Sequence, residues 1–120
     1  MSEIERTPGN ARGRCRIVAH GGLVWTVATG PGKNVAEQTK ATLSQLEANL
    51  AEAGTGKDRI VDATVYLADM KTKAEMDAVW CAWIPDDGWP CRACVGTDLA
   101  PGDLVEIKVT ARLRSGGGDG

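Results

Sequence analysis

The fold of this 120-residue chain is organised around the stretch Trp89-Pro90-Cys91-Arg92-Ala93-Cys94-Val95, followed closely by Leu104-Val105-Glu106-Ile107-Lys108-Val109-Thr110-Ala111. Both runs alternate small or apolar side chains with polar ones, which is the period of a β-strand with one buried face. Between them lies Pro101-Gly102-Asp103, a turn signal in which proline fixes φ, glycine frees it and aspartate bonds to local backbone. The two runs are therefore predicted to form a two-stranded unit.

The alternation also assigns side chains to faces. Arg92 and Cys94 share one face of the first strand, and Glu106 lies on the polar face of the second. The polar face of the pair is thus expected to bring these three residues together. An arginine in a strand of small residues suits a planar carboxylate, and a nearby glutamate can orient water or move a proton. On pattern alone, an arginine and a glutamate on neighbouring strands more often form an ordinary cross-strand charge pair on a solvated face.

Length and composition limit the class of protein. The chain has room for one domain with a real core. Its net charge of -2 argues against a nucleic-acid partner, because a phosphate track needs a basic surface. No apolar run reaches membrane length, and the N-terminus lacks a signal peptide's hydrophobic segment. We therefore expect no membrane partner and a cytoplasmic location.

The cysteines are Cys15, Cys81, Cys91 and Cys94. Cys91 and Cys94 have the spacing of a zinc or redox motif, but zinc needs four ligands and the only histidine, His20, is distant in sequence. A redox motif of this spacing lies at a helix N-terminus, whereas here the two sulfurs should point to opposite faces of a strand. We expect no metal site and no disulfide, and buried free cysteines acting as small hydrophobes.

The remaining sequence alternates strand and helix signals. Residues 1–14 are interpreted as an N-terminal arm, 15–114 as the single domain, and the glycine-rich 115–120 as a disordered tail. Within the domain the patterns predict strands at Cys15–Ala19, Leu23–Ala28 and Ile60–Leu67, one helix from the N-cap Asn34 to Gly54, and another from Thr72 to Pro85. Both helices begin with a capping box, formed by Asn34 with Glu37 and by Thr72 with Glu75.

Each element carries one apolar stripe. The predicted core stripes are Thr39, Leu43, Leu46 and Leu50 on the first helix, Met76, Val79, Trp80 and Trp83 on the second, and Val61, Ala63, Val65 and Leu67 on the third strand. The element order ββαβαββ indicates a mixed sheet with both helices on one face, an α+β fold. The other face stays uncovered, and because exposing apolar surface costs about 25 cal/mol per Å², we expect an oligomer.

Taken together, these segments resemble the Rid/YjgF family of reactive-intermediate (enamine/imine) deaminases over residues 18–111. The resemblance rests on the order and spacing of Thr29-Gly30, Glu37-Gln38-Thr39, Leu50-Ala51-Glu52-Ala53-Gly54, Thr64-Val65-Tyr66-Leu67-Ala68-Asp69-Met70, Ala78-Val79-Trp80-Cys81-Ala82-Trp83, Pro90-Cys91-Arg92-Ala93-Cys94-Val95 and Val105-Glu106-Ile107-Lys108-Val109. The segment with two tryptophans looks like one branch of the family rather than its archetypal members.

The resemblance implies a fold similar to chorismate mutase and a homotrimer with active sites between subunits. It implies that Arg92 binds the substrate carboxylate and that Glu106 activates water. Cys94 matches a cysteine whose backbone lies in the pocket, and Thr29 matches a serine, keeping its hydroxyl. The reaction would be hydrolytic deamination of a 2-aminoacrylate or 2-imino acid to a 2-keto acid, needing no metal or organic cofactor.

Two departures affect the substrate range. Asp77 replaces the asparagine that usually precedes the aromatic segment, and it would repel a carboxylate if it faces the pocket. The archetypal N-terminal tyrosine has no counterpart. Three alternatives therefore stay open: a pathway enzyme acting on a larger imine or carboxylate, a small-molecule binder without turnover, and the ribonuclease activity attributed to some relatives, against which the acidic balance argues.

Overall fold

The computed structural model describes residues 3–114, which form a mixed sheet covered on one face by two helices. The elements are β1 (Glu5–Pro8), β2 (Cys15–His20), β3 (Leu23–Ala28), α1 (Val35–Glu52), β4 (Ile60–Leu67), α2 (Lys73–Trp83), β5 (Cys91–Gly96) and β6 (Val105–Arg112), with 3-10 turns at Lys57–Arg59 and Met70–Thr72. Within the described residues the strand order is β1-β2-β3-β6-β4-β5. The predicted α+β architecture with both helices on one face is confirmed.

The N-terminal arm differs from the prediction, because it contributes a strand. Residues 5–8 pair antiparallel with β2, from Glu5 opposite Ala19 to Pro8 opposite Cys15. Three of the four β1 residues are exposed, so backbone bonding to the edge of β2, and not an apolar pattern, forms this strand. The element order is therefore βββαβαββ. The predicted disordered tail, 115–120, lies outside the described residues.

The predicted two-stranded unit is wrong, because β4 lies between β5 and β6. β4 pairs in parallel with β5 and antiparallel with β6. The turn at Pro101-Gly102-Asp103 does form, with Gly102 at φ +88° and the Asp103 amide donating to the Ala100 carbonyl. This turn carries the chain across the end of β4. As a result β6 lies between β3 and β4, with its apolar face buried.

The core follows the predicted helix stripes. All four stripe residues of α1 are buried, and on α2 Met76 and Trp80 are buried while Val79 and Trp83 are partly covered. The prediction for β4 is wrong at Val61, which is 49% exposed. The register shifts between Ile60 and Asp62, so Ile60 enters the core in place of Val61.

The two helices start where the sequence predicts, by different means. The Asn34 side chain accepts a hydrogen bond from the Glu37 amide at 2.9 Å, as expected of an N-cap. Thr72 is the N-cap of α2 but makes no capping bond with its side chain. Its hydroxyl donates to the Asp69 carbonyl at 2.6 Å, and the Asp69 carboxylate caps the preceding 3-10 turn. The predicted capping box of α2 is therefore absent.

Among residues 3–114, no helix covers the opposite face of the sheet. At the edge strand β5, the exposed side chains of Cys91, Ala93 and Val95 alternate with the helix-facing ones. Trp89, just before β5, is 73% exposed. Neither helix of the described residues has the length and apolar character needed to cross a bilayer.

Candidate functional site

Arg92 projects from β5 under helix α2, and contacts on α2 fix its guanidinium. Nη2 donates to Oδ1 of Asp77 at 2.7 Å, and Nη1 lies 3.7 Å from the sulfur of Met76. The guanidinium carbon stands 5.3 Å from the centre of a Trp80 ring. The helical spacing of Met76, Asp77 and Trp80 places all three above the strand. Only 18% of the Arg92 side chain is exposed, so this cation is largely desolvated and held in one orientation.

Asp77 bridges two cations. Its Oδ1 accepts from Arg92, and its Oδ2 accepts from the Lys73 ammonium at 2.7 Å, one helical turn earlier. Partial burial acts to raise the pKa of Asp77, but the hydrogen bonds from Lys73 and Arg92 outweigh it and hold the pKa below its usual value. Asp77 is therefore ionised at neutral pH.

Cys94 lies two residues beyond Arg92 on the same, helix-covered face of β5, where it packs against the core. Burial raises the pKa of its thiol, and the positive charges of Arg92 and Lys73 only partly offset that effect. The thiol is therefore neutral at pH 7 and poorly suited to act as a nucleophile. All four cysteines are free thiols, but the prediction that they are buried is wrong for Cys81 and Cys91, which are exposed.

Thr29 and Glu106 line a cavity of about 320 Å³, together with Arg14, Arg16 and Asp103. Gly30 positions Thr29 there, because the chain passes against α1 so closely that a Cβ at residue 30 would lie 2.6 Å from the Thr42 amide nitrogen. The cavity thus depends on a close contact between the end of β3 and the helix.

The two arginines of this cavity were not predicted, since residues 1–14 show no period and Arg16 sits in a strand read only for its apolar face. The Arg16 guanidinium bonds both carboxylate oxygens of Glu52, at 2.9 and 3.1 Å, and also Asn49 at 3.1 Å. These bonds tie β2 to the end of α1. The buried amide of Asn49 continues the network to the Thr26 hydroxyl.

The expected meeting of Arg92, Cys94 and Glu106 does not occur within one chain. Arg92 is paired with Ala63 on the helix-covered face. Glu106 pairs with Tyr66, and its neighbours in β6 are buried beneath the helices, so Glu106 points to the opposite face. With β4 inserted between the strands, the candidate residues form two separate groups, with Arg92, Cys94 and Asp77 in one and Thr29 and Glu106 in the other.

Other polar candidates lie outside the Arg92 cluster. His20 is exposed at the end of β2, and Lys108 is exposed on the uncovered face, opposite Val27 and Thr64. Among residues 3–114 no group of three or more histidine, cysteine or acidic side chains is arranged to hold a metal ion.

Comparisons with known proteins agree in their family. The sequence model described as Endoribonuclease L-PSP matches residues 14–113. The chain is 36% identical to the RutC family protein YoaB of Escherichia coli, covering 92% of this chain and 98% of that protein. It is 40% identical to a RutC family protein of Haemophilus ducreyi, covering 72% and 75%.

Solved structures show the same fold. NMB1025 of Neisseria meningitidis, a member of the YjgF protein family, superposes with a TM-score of 0.90 at 39% identity, covering 94% of this chain and 97% of that one. Rv2704 of Mycobacterium tuberculosis, from the YjgF/YER057c/UK114 family, has a TM-score of 0.85 at 27% identity, with 92% and 100% covered. The expected chorismate mutase-like arrangement is confirmed.

The close passage at Gly30 yields a stability prediction. We expect Gly30→Ala to lower the free energy of unfolding by about 1–3 kcal/mol, because the added methyl group meets α1 backbone that cannot yield. The control is Gly9→Ala, where the new carbon meets only ordinary contacts with Arg16 at 3.6 Å or more. Urea unfolding measures both. Equal midpoints for the two variants would show that the contact is not tight.

Proposed function

Because the chain belongs to the YjgF/Rid family, we propose that it hydrolyses reactive enamine and imine intermediates, of the 2-aminoacrylate or 2-imino acid type, to 2-keto acids with release of ammonia. The observation that carries the proposal is the Arg92 guanidinium, largely desolvated and fixed by Asp77, Met76 and Trp80. A cation held in this way is preorganised for a planar carboxylate.

In the proposed site Arg92 binds the substrate carboxylate. Its contacts with Asp77 and Met76 leave further N–H donors of the guanidinium for a ligand. Charge-assisted hydrogen bonds of this kind contribute about 1.5–3 kcal/mol each. The docked carboxylate would then place the adjoining C=N carbon at a fixed distance from the protein.

Two subunits are needed to complete this site, because Arg92 and Glu106 lie on opposite faces of the sheet in one chain. We propose a homotrimer in which Arg92 of one subunit faces the cavity formed by Thr29 and Glu106 of its neighbour. The outer edge of β5 has no strand partner among residues 3–114, and the nearby side chains of Trp89 and Val95 are exposed. Both features favour association there. A subunit contact would cover both.

The proposed chemistry needs only water and proton transfers. An enamine first takes up a proton at carbon and releases one from nitrogen to become the imine. Glu106 accepts a proton from water as the water oxygen bonds to the imine carbon, and the imine nitrogen gains a proton. The resulting carbinolamine takes up the proton held by Glu106 at its nitrogen and gives up its hydroxyl proton to water, so that the C–N bond breaks, ammonia leaves and the C=O bond forms. In this proposal the hydroxyl of Thr29, which lines the same cavity as Glu106, holds the attacking water. Acid–base help of this kind contributes about 10²–10⁴-fold.

The setting we propose is the cytoplasm, where thiols stay reduced. The free state of Cys15, Cys81, Cys91 and Cys94 agrees with that compartment.

A second candidate is the same reaction on a larger imine or carboxylate. The cavity beside Thr29 and Glu106, about 320 Å³, exceeds what 2-aminoacrylate fills, and the position of the archetypal tyrosine is not occupied by an aromatic ring. Comparing imines made from small and from bulky amino acids separates the two candidates. Faster turnover of the bulky imines would favour the second.

Removing the Arg92 guanidinium tests the proposal. An amino acid oxidase generates the imine, and its disappearance is followed with and without the protein. We expect acceleration by the wild type, and a loss of about 10- to 100-fold in kcat/KM for Arg92→Ala, since about 1.5–3 kcal/mol of carboxylate binding disappears. Lys40→Ala, which removes a cation from the exposed face of α1, is the control and should match the wild type. An Arg92→Ala protein as fast as the wild type would defeat the deaminase assignment.

Mixed oligomers test the shared site. Arg92→Ala and Glu106→Gln subunits are co-expressed with different affinity tags, and oligomers containing both are isolated. Each variant alone should be nearly inactive. If each site takes its arginine and its glutamate from different subunits, about one third of the sites in trimers that contain both variants carry both wild-type residues. Activity well above that of either pure variant is therefore expected. Mixtures no more active than the pure variants would place both residues of a site in one subunit.

A further inference from the structure

Asp77 gives the Arg92 site a built-in counter-ion. The carboxylate joins Arg92 and Lys73 at 2.7 Å each, and all three side chains are at least partly covered, with exposed fractions of 18% for Arg92, 30% for Asp77 and 42% for Lys73. Both carboxylate oxygens are engaged. Residue 77, where the family resemblance implies a neutral asparagine, thus carries a negative charge that is hydrogen-bonded to Arg92.

The charge count of this cluster limits what it can bind. Two cations and one anion leave a net charge of +1, which a ligand with a single carboxylate neutralises. A ligand with a second carboxylate would add a further negative charge close to Asp77, in a region where the low exposure of Arg92 weakens solvent screening. With a neutral amide at residue 77, the same two cations would carry a net charge of +2.

The same contacts place Lys73 next to the Arg92 site as a second cation. It is the first residue of α2, one turn before Asp77, and its ammonium reaches the oxygen of Asp77 that Arg92 does not use. It therefore stands beside the arginine as a second cation. A carboxylate docked on Arg92 would lie in the field of both.

We propose that Asp77 restricts the site to substrates with one carboxylate, by holding Arg92 in place and cancelling one of two positive charges, and that Lys73 supplies the remaining attraction. The inference rests on the proposed function, since it names the substrate class of that site. It makes Asp77 a positioning and specificity-determining residue.

The test compares one-carboxylate with two-carboxylate ligands. Binding of pyruvate and of 2-oxoglutarate is measured by calorimetry for the wild type, Asp77→Asn and Glu75→Gln. Glu75→Gln removes an equal charge from an exposed position of the same helix. We expect the wild type to prefer pyruvate, and Asp77→Asn to shift the ratio of affinities toward 2-oxoglutarate by about 10-fold, with Glu75→Gln leaving it unchanged.

A second variant covers Lys73. Lys73→Met removes its charge while keeping the length of the side chain, and it should weaken pyruvate binding about 3- to 10-fold. Should Asp77→Asn fail to fold, Asp77→Ser removes the same charge and repeats the comparison. A purely structural role for Asp77 would change both affinities alike and leave their ratio where it was, which would overturn the inference.

The outcomes separate this inference from the proposed reaction. The same variants are assayed with imines generated from alanine and from glutamate. A shifted binding ratio without turnover of any imine would support the inference and reject the deaminase activity. Turnover by the wild type with an unchanged ratio in Asp77→Asn would reject the inference alone. Failure of the wild type to bind either keto acid would also reject it.

Discussion

The guanidinium of Arg92, taken largely out of water beneath α2, is the feature on which the rest of the site depends. A desolvated cation is unfavourable unless a charge or a hydrogen-bonding group compensates it. Asp77 does so directly, and the Trp80 ring and Met76 sulfur pack against the guanidinium. Each of these partners comes from one helix, so the orientation of the arginine is set by how α2 lies over β5.

That placement follows from the parallel crossover from β4 through α2 to β5. The crossover returns the chain alongside β4 and leaves α2 above the strand it precedes. The same topology separates Arg92 from Glu106 by one strand and by the thickness of the sheet. Because side chains alternate strictly between faces, no local adjustment in one subunit would reunite them. The proposal that a second copy completes the site therefore follows from the alternation of side chains along the strands.

Much of this architecture was predictable from local patterns. The stripe Leu43, Leu46 and Leu50 and the cap at Asn34 are properties of neighbouring residues, and the structure shows them as predicted. The pairing of β5 with β4 was not predictable in this way, because strand partners far apart in sequence leave no local signal. Val61 was misplaced by a register shift, and α2 is preceded by a turn capped by Asp69, which competes with the predicted role of Thr72.

The candidate site, too, was predictable from the sequence only in part. Arg92, Cys94 and Glu106 became candidates from strand alternation and from the family resemblance, and Thr29 from the resemblance alone. The contact of Asp77 with Arg92 is visible only in the fold. A crystal structure of the oligomer with a 2-keto acid bound tests the central claim most directly. Our account predicts the ligand carboxylate within hydrogen-bonding distance of Arg92 of one subunit and its keto carbon beside Glu106 of the next. A structure in which Arg92 lies far from every subunit contact and the ligand binds elsewhere would contradict it.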